Sequence, residues 1–317
     1  MWAQTLIAPR TFDLRDVPAP SPDALRPGEV LVDLVAGATC ASDLPFFRGT
    51  FRRPAEVFGL PGRPLHEVVA RVAVSTVPEL AEGDRVVGWA SGFDGLQQQF
   101  VTRADGLAPV PAHLDDVQAL APQTAAVVLA LADRVPTFEG KRVAVIGLGA
   151  YGNLLAAVAR LRGAAEVVGI DRIDRSAEAA RFGLDRFVHA TSRQWARDLA
   201  DDERPDIVIE AAGHQVASYA DAVHAVAPRG GVYLFGAPDD DWVALPLPLV
   251  WLKEVTITGG PAHDTRRYLD LGAELAAEHP DLLDAVVTRT LPYQAAQQAY
   301  AAVENPQPGV LKVVLTA

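Results

Sequence analysis

The run Val143-Ala144-Val145-Ile146-Gly147-Leu148-Gly149-Ala150-Tyr151-Gly152 is the feature that most narrows what this chain folds into. Four consecutive apolar residues bounded by a glycine read as a strand buried on both faces. The G-x-G-x-x-G string opens a helix over 151–161, with Leu154, Leu155, Val158 and Leu161 on one face. A second strand over 167–170 leads to Asp171, 19 residues after Gly152. Strand, glycine turn, helix, strand and acid in that order form the dinucleotide-binding fingerprint. Gly147 permits the tight turn, Gly149 lets backbone approach a pyrophosphate, and Gly152 allows close helix–strand packing. Ala150 and Tyr151 bring free N–H groups at the helix N-terminus. Asp171 accepts from ribose hydroxyls and repels a 2′-phosphate, which favours NAD. Arg172 beside it can meet a 2′-phosphate and leaves NADP open. A glycine-rich turn without a ligand is the plainer alternative.

The rest of the chain divides around residue 116. Before it, short runs of strand formers over 30–35, 68–74, 85–89 and 98–102 are punctuated by Gly and Pro. After it, a helix over 116–133 precedes alternating strands (142–146, 167–170, 207–209, 232–235, 255–258) and helices, including 177–182 capped by Gly183. That alternation predicts a doubly wound α/β domain. A helix over 266–278 and a strand over 310–315 follow. At 317 residues, two domains are expected. The net charge of -12 and the lack of clustered Lys and Arg argue against a nucleic-acid partner. No long apolar window predicts a membrane span. No basic-then-apolar leader is seen, and with one cysteine the expected compartment is the cytoplasm.

That cysteine, Cys40, lies in Cys40-Ala41-Ser42-Asp43, and the pair His66-Glu67 follows. A lone cysteine builds neither an internal disulfide nor a multi-cysteine knuckle. It can give one thiolate to a catalytic metal, with imidazole and carboxylate completing a mixed set. A small buried hydrophobe is the plainer role for Cys40.

Taken together, these segments resemble the medium-chain, zinc-dependent alcohol dehydrogenase family. Gly83-Asp84-Arg85-Val86, Phe100-Val101-Thr102-Arg103-Ala104-Asp105, Pro228-Arg229-Gly230-Gly231 and Leu311-Lys312-Val313-Val314 are similar to its strand and turn motifs. The resemblance implies an α/β chain: a GroES-like β-rich catalytic domain from 1–118 and 263–317, and a Rossmann domain over 119–262. It implies one catalytic zinc held by Cys40 and His66, with Glu67 beside the metal. The third-ligand position of the family is filled by Gln123, a neutral donor that resembles the choice of some sugar-oxidising members. Leu65 replaces the glycine of the family's G-H-E. The four-cysteine structural zinc lobe has no counterpart between 89 and 99, so at most one zinc is expected. Ser42 would carry the substrate's proton, completing the catalytic set with Cys40 and His66. Pro45 stands where several members have a relay histidine, and Asp43 would orient His66. His214, after the strand at 207–209, is a candidate cofactor contact.

The resemblance further implies hydride transfer between NAD and a secondary alcohol or its ketone, of polyol, sugar or cyclitol type, with the alkoxide on zinc. Phe46, Phe47, Phe51, Phe58, Trp89 and Phe93 are candidate pocket residues. A homodimer or homotetramer paired through 255–260 is expected. Two alternatives stay open: a zinc-free, NADPH-dependent quinone or enoyl-type reductase, and a non-catalytic dinucleotide-binding protein. The remaining histidines, His113, His189, His224, His263 and His279, are expected in loops or on helix surfaces.

Overall fold

The structure is a computed structural model that describes residues 1–51, 58–214 and 216–317. A hairpin of β1 (Trp2–Ala8) and β2 (Thr11–Asp16) comes first. Then follow β3 (Glu29–Ala38), α1 (Leu44–Arg48), β4 (Glu67–Ser75), β5 (Arg85–Trp89), β6 (Gln99–Arg103), β7 (Leu107–Pro109) and α2 (Ala121–Ala132). Strands and helices next alternate through β8 (Arg142–Ile146), α3 (Ala150–Leu161), β9 (Glu166–Asp171), α4 (Ser176–Ala179), β10 (Arg186–His189), α5 (Ser192–Asp198), β11 (Ile207–Glu210), α6 (Ala217–Ala225), β12 (Gly231–Leu234), α7 (Leu247–Lys253) and β13 (Thr256–Gly259). The last stretch holds α8 (Thr265–Glu278), α9 (Pro280–Asp284), β14 (Val287–Pro292), α10 (Ala296–Glu304) and β15 (Lys312–Thr316).

The chain forms two compact units. One comprises residues 1–126, 263–306 and 310–317, and the other 127–262 and 307–309. The division falls inside α2, not before it as the expected boundary at 118/119 has it. The first half of α2 is tied to α8, because Gly272 leaves no room for a Cβ against Pro122 O, which would lie 2.2 Å away.

In the first unit, one sheet runs β14-β15-β3-β4-β5-β7, with β6 also paired to β3. Its strands are antiparallel except for the β14–β15 pair. Both faces of this sheet are covered. Val30, Val32, Val68, Ala70 and Val86 pack with Phe100 and Tyr300 on one side. Ala36, Ala38, Val69, Val87 and Val314 pack with Leu120 on the other. That double burial is why β3 and β4 read as near-continuous apolar runs.

In the second unit six strands lie parallel in the order β10-β9-β8-β11-β12-β13. The apolar runs of β8 and β11 are buried throughout except at Arg142. The expected α/β architecture, a GroES-like β-rich part plus a doubly wound parallel sheet, is the observed one.

Several local expectations are corrected. The helix expected from 116 begins at Ala121, after a single 3-10 turn over Gln118–Leu120. Pro122, which lacks an N–H, fits only the first turn of a helix. The helix expected over 177–182 is the short α4, and Gly183 follows with φ +73°. Leu161 is not part of the buried face of α3. It is half exposed at the last turn, whereas Leu154, Leu155 and Val158 are buried. His189 ends β10 and does not lie in a loop or helix. No helix among the described residues is long and apolar enough to cross a membrane.

Candidate functional site

Strand register brings three of the metal-ligating candidates of the first unit, Cys40, His66 and Glu67, together. Ala38, the last residue of β3, pairs with Glu67 on one side and Val314 on the other. Thr39 continues the strand by donating its N–H and its hydroxyl to Val313 O, both at 3.0 Å. Cys40 therefore emerges beside the start of β4, where His66 and Glu67 stand. The donor atoms of Cys40, His66 and Glu67 all lie within 4.8 Å of one another. A thiolate, an imidazole and a carboxylate at that spacing make a donor set that fits zinc.

Asp43 locks this arrangement from behind. It is fully buried, and its Oδ1 accepts from His66 Nδ1 at 2.7 Å. Its Oδ2 accepts from the Cys40 N–H at 3.1 Å and from the Tyr300 hydroxyl at 3.5 Å. With Nδ1 committed to Asp43, Nε2 is the imidazole atom left for a metal. Ser42 Oγ lies 3.4 Å from that Nε2. Burial pushes the His66 pKa down, but the charge and hydrogen bond of Asp43, with those of Cys40, outweigh it and hold His66 well above its ordinary value. A site that holds a proton this firmly attracts cations. Burial, together with Asp43, pushes the Tyr300 phenol well up, so its hydroxyl stays a neutral donor.

Glu67 is divided between two neighbours. One oxygen forms a buried ion pair with Lys312 at the start of β15, and the other lies 4.0 Å from His66 Nε2. Gln123 in the first turn of α2 is 1% exposed, and its Oε1 has no hydrogen-bond partner. A buried carbonyl oxygen without a donor costs free energy unless something fills its place, which fits a neutral metal ligand or a water bound to one.

Phe93 stands over the imidazole, its ring centroid 4.7 Å from that of His66. The turn carrying it is fixed by Leu65 N–H donating to Phe93 O at 3.0 Å and Ala90 N–H donating to His66 O at 2.8 Å. Phe93 has φ +55°, an uncommon value for a bulky residue. Phe46 packs on Phe93 at 5.4 Å and on Phe51 at 4.3 Å, extending the wall. Of the other aromatic candidates, Phe47 is core against Tyr300, Phe58 packs on the same core, and Trp89 packs with Ala108, Ala126 and Leu269.

In the second unit, the glycine turn follows β8. Gly147 has φ +90°, and a Cβ there would lie 2.6 Å from the Ala212 backbone. A Cβ on Gly152 would meet Gly147 O at 1.8 Å, whereas Gly149 faces open space. Gly149 is the N-cap of α3 and has no side chain to cap it, and a helix N-terminus of this kind suits an anion. Asp171, half-buried at the end of β9, accepts from Leu148 N–H at 2.7 Å and Ile173 N–H at 2.8 Å. It thus couples the glycine turn to the next strand, and Arg172 beside it is exposed. The cradle fits a dinucleotide. His214 has φ +52°, donates its N–H to Ala237 O at 3.1 Å, and has Nδ1 2.5 Å from Asp239 Oδ1.

Glu210, Lys312 and Tyr300 escaped sequence reasoning. The signal for the first two is the same: a single charged residue set in an otherwise apolar strand, Ile207-Val208-Ile209-Glu210 and Lys312-Val313-Val314-Leu315.

Comparison with known proteins matches residues 26–112 to the alcohol dehydrogenase GroES-like domain and residues 150–276 to the zinc-binding dehydrogenase model. The chain belongs to the medium-chain, zinc-dependent alcohol dehydrogenase family. A probable zinc-binding alcohol dehydrogenase of Mycobacterium tuberculosis is 28% identical over 316 residues, covering 89% of this chain and 80% of that protein. A probable D-xylulose reductase A of Aspergillus fumigatus is 24% identical over 327 residues, covering 90% and 89%. Among solved structures, the alcohol dehydrogenase of Thermus sp. ATN1 superposes with a TM-score of 0.82 at 25% identity, covering 100% of this chain and 99% of that one. The protein is thus of an oxidoreductase family with small-molecule substrates.

Proposed function

We propose that this zinc-binding dehydrogenase transfers hydride between NAD and a secondary alcohol of polyol or sugar type. The convergence of Cys40, His66 and Glu67 donor atoms within 4.8 Å carries the reading. Cys40 Sγ and His66 Nε2 are the zinc ligands. Glu67 and Gln123 are the groups that close the shell, directly or through water. When bound, zinc supplies a Lewis acid for the substrate oxygen and the nicotinamide supplies the hydride acceptor.

The chain's own side chains do the rest. Asp43 fixes the His66 tautomer. Ser42, with Oγ 3.4 Å from Nε2, would accept the substrate hydroxyl's proton while passing its own hydroxyl proton on to solvent. Phe93 and Phe46 form an apolar wall that keeps water from the reacting carbon. The glycine turn with Ala150 and Tyr151 binds the pyrophosphate, and Asp171 binds the adenosine ribose and disfavours a 2′-phosphate, hence NAD. Arg172 is the residue through which NADP would enter, and His214 is a candidate contact to the nicotinamide half. The polyol preference draws on Gln123 and on the relatives named as D-xylulose reductases.

The protein acts as a homodimer or homotetramer, paired through the edge of β13 that no strand covers among the described residues. Leu247, Trp251 and Leu252 of α7, which leads into that edge, are 67%, 80% and 67% exposed. An apolar patch beside an uncovered strand edge favours self-pairing.

Metal analysis tests the central assignment. Purified protein is expected to hold one zinc per chain, and Cys40→Ala to lose both metal and turnover. A Cys40→Ala protein with full zinc content and full activity overturns it.

A further inference from the structure

Glu210 ends β11 with a carboxyl group that no cation meets among the described residues. It is fully buried. Its Oε1 accepts from the N–H groups of Ala212 (3.2 Å) and Gly213 (3.3 Å) and from the Ser218 hydroxyl (2.8 Å). Its Oε2 has no hydrogen-bond partner. That oxygen lies against the crossing of two loops, those after β11 and β12. A Cβ on Gly236 would approach it to 2.9 Å and the Gly213 Cα to 2.3 Å. The other titratable groups nearby are Tyr219, which donates to Gly236 O at 2.8 Å and whose phenol is pushed up by burial and by Glu210, and the His214–Asp239 pair. None of these neutralises Glu210.

The sheet order sets what lies on each side of the glycine turn. β8 feeds that turn, with β9 on one flank and β11, then β12, on the other. Asp171, the ribose-binding candidate, ends β9. A dinucleotide with its pyrophosphate on the turn and its adenosine toward β9 carries its other half toward β11 and β12, the side of Glu210.

We infer that Glu210 determines preference for the oxidised cofactor: its buried carboxylate favours the positively charged nicotinamide ring of NAD+ over the neutral ring of NADH. This rests on the NAD reading above. A buried carboxylate without a cationic partner is held at high free energy, and a cationic ring brought near it in a low-dielectric interior relieves that cost more than water does. Burial raises the Glu210 pKa to about 7, so at about pH 8 the group is mostly ionised but at a cost, which a positive charge beside it relieves.

The test is titration of the zinc-loaded protein with NAD+ and with NADH at about pH 8, for wild type, Glu210→Gln and Ser218→Ala. Glu210→Gln keeps the acceptor oxygen used by Ala212, Gly213 and Ser218. The expected result is a rise of about five- to tenfold in its Kd for NAD+, with NADH changed less than about twofold. Ser218→Ala removes one donor from Oε1, destabilises the carboxylate and is expected to shift the same ratio in the same direction by a smaller factor. If both cofactors weaken equally in Glu210→Gln, or neither changes, the inference fails and Glu210 only holds the loop. Should Glu210→Gln not fold, an unchanged ratio in Ser218→Ala overturns it. Failure of wild type to bind either dinucleotide instead sinks the NAD reading beneath it.

Discussion

Asp43 is a fully buried carboxylate whose partners are all hydrogen-bond donors of the proposed metal site: His66, Cys40 and Tyr300. Removing its charge frees the imidazole to rotate. Asp43→Asn is expected to weaken zinc binding by about 10–100-fold, read by competition with a chromophoric chelator, while thermal unfolding of the metal-free protein shifts far less. Proton and metal compete for His66 Nε2. In the metal-free protein the raised His66 pKa adds stability that is present below the unfolded value near 6.5 and lost as pH rises through the higher folded value. Zinc affinity is accordingly expected to climb with pH across that interval and to climb less steeply in Asp43→Asn. Glu210 behaves in the opposite chemical sense. Its folded pKa of about 7 lies above the ordinary 4.5, so the neutral acid stabilises the fold below 4.5 and that contribution is lost as pH rises toward 7. Glu210→Gln is therefore expected to be more stable than wild type at about pH 8, by on the order of 2–3 kcal/mol, with no gain at about pH 4. Equal stability differences at both values, by thermal or denaturant unfolding, contradict this.

At the scale of elements, the glycine turn is the part least tolerant of change. A methyl on Gly152 would meet Gly147 O at 1.8 Å, so helix α3 must move off β8 to admit it. Gly152→Ala is expected to lower NAD affinity by at least about tenfold, with a loss of about 1–3 kcal/mol in stability. Gly149→Ala, which faces open space, is expected to cost little stability while still obstructing the phosphates. The turn was legible because glycine spacing and a doubly buried apolar strand are both local signals. The hairpin β1–β2 was not: Phe12 and Leu14 alternate with polar residues in Thr-Phe-Asp-Leu-Arg-Asp of β2, but the run is short and every side chain except Phe12 is exposed. β14 and α10 escaped for a related reason, since each takes much of its burial from β15, outside its own segment.

For the whole molecule, the change of pattern near residue 116 marked a β-rich and an α/β part, whereas a unit built from both chain ends came from the family resemblance alone. The site was legible as residue types, Cys40, His66, Glu67 and Asp43. Its closure was not, because Lys312 and Tyr300 reach Glu67 and Asp43 only through long-range register that no local spacing encodes. Self-pairing is proposed through the edge of β13, which follows the helix carrying the exposed Trp251 and Leu252. Leu252→Lys is expected to shift the protein from dimer to monomer in light scattering, with its Rossmann sheet intact by circular dichroism. A dimer unchanged by Leu252→Lys places the contact elsewhere.

The most direct test is the rate of reduced-nicotinamide formation from NAD+ and a panel of polyols and secondary alcohols, measured before chelation, after chelation and after zinc is restored. Turnover that disappears when zinc is stripped and returns with one equivalent per chain is the predicted result. Turnover that survives complete removal of the metal contradicts it.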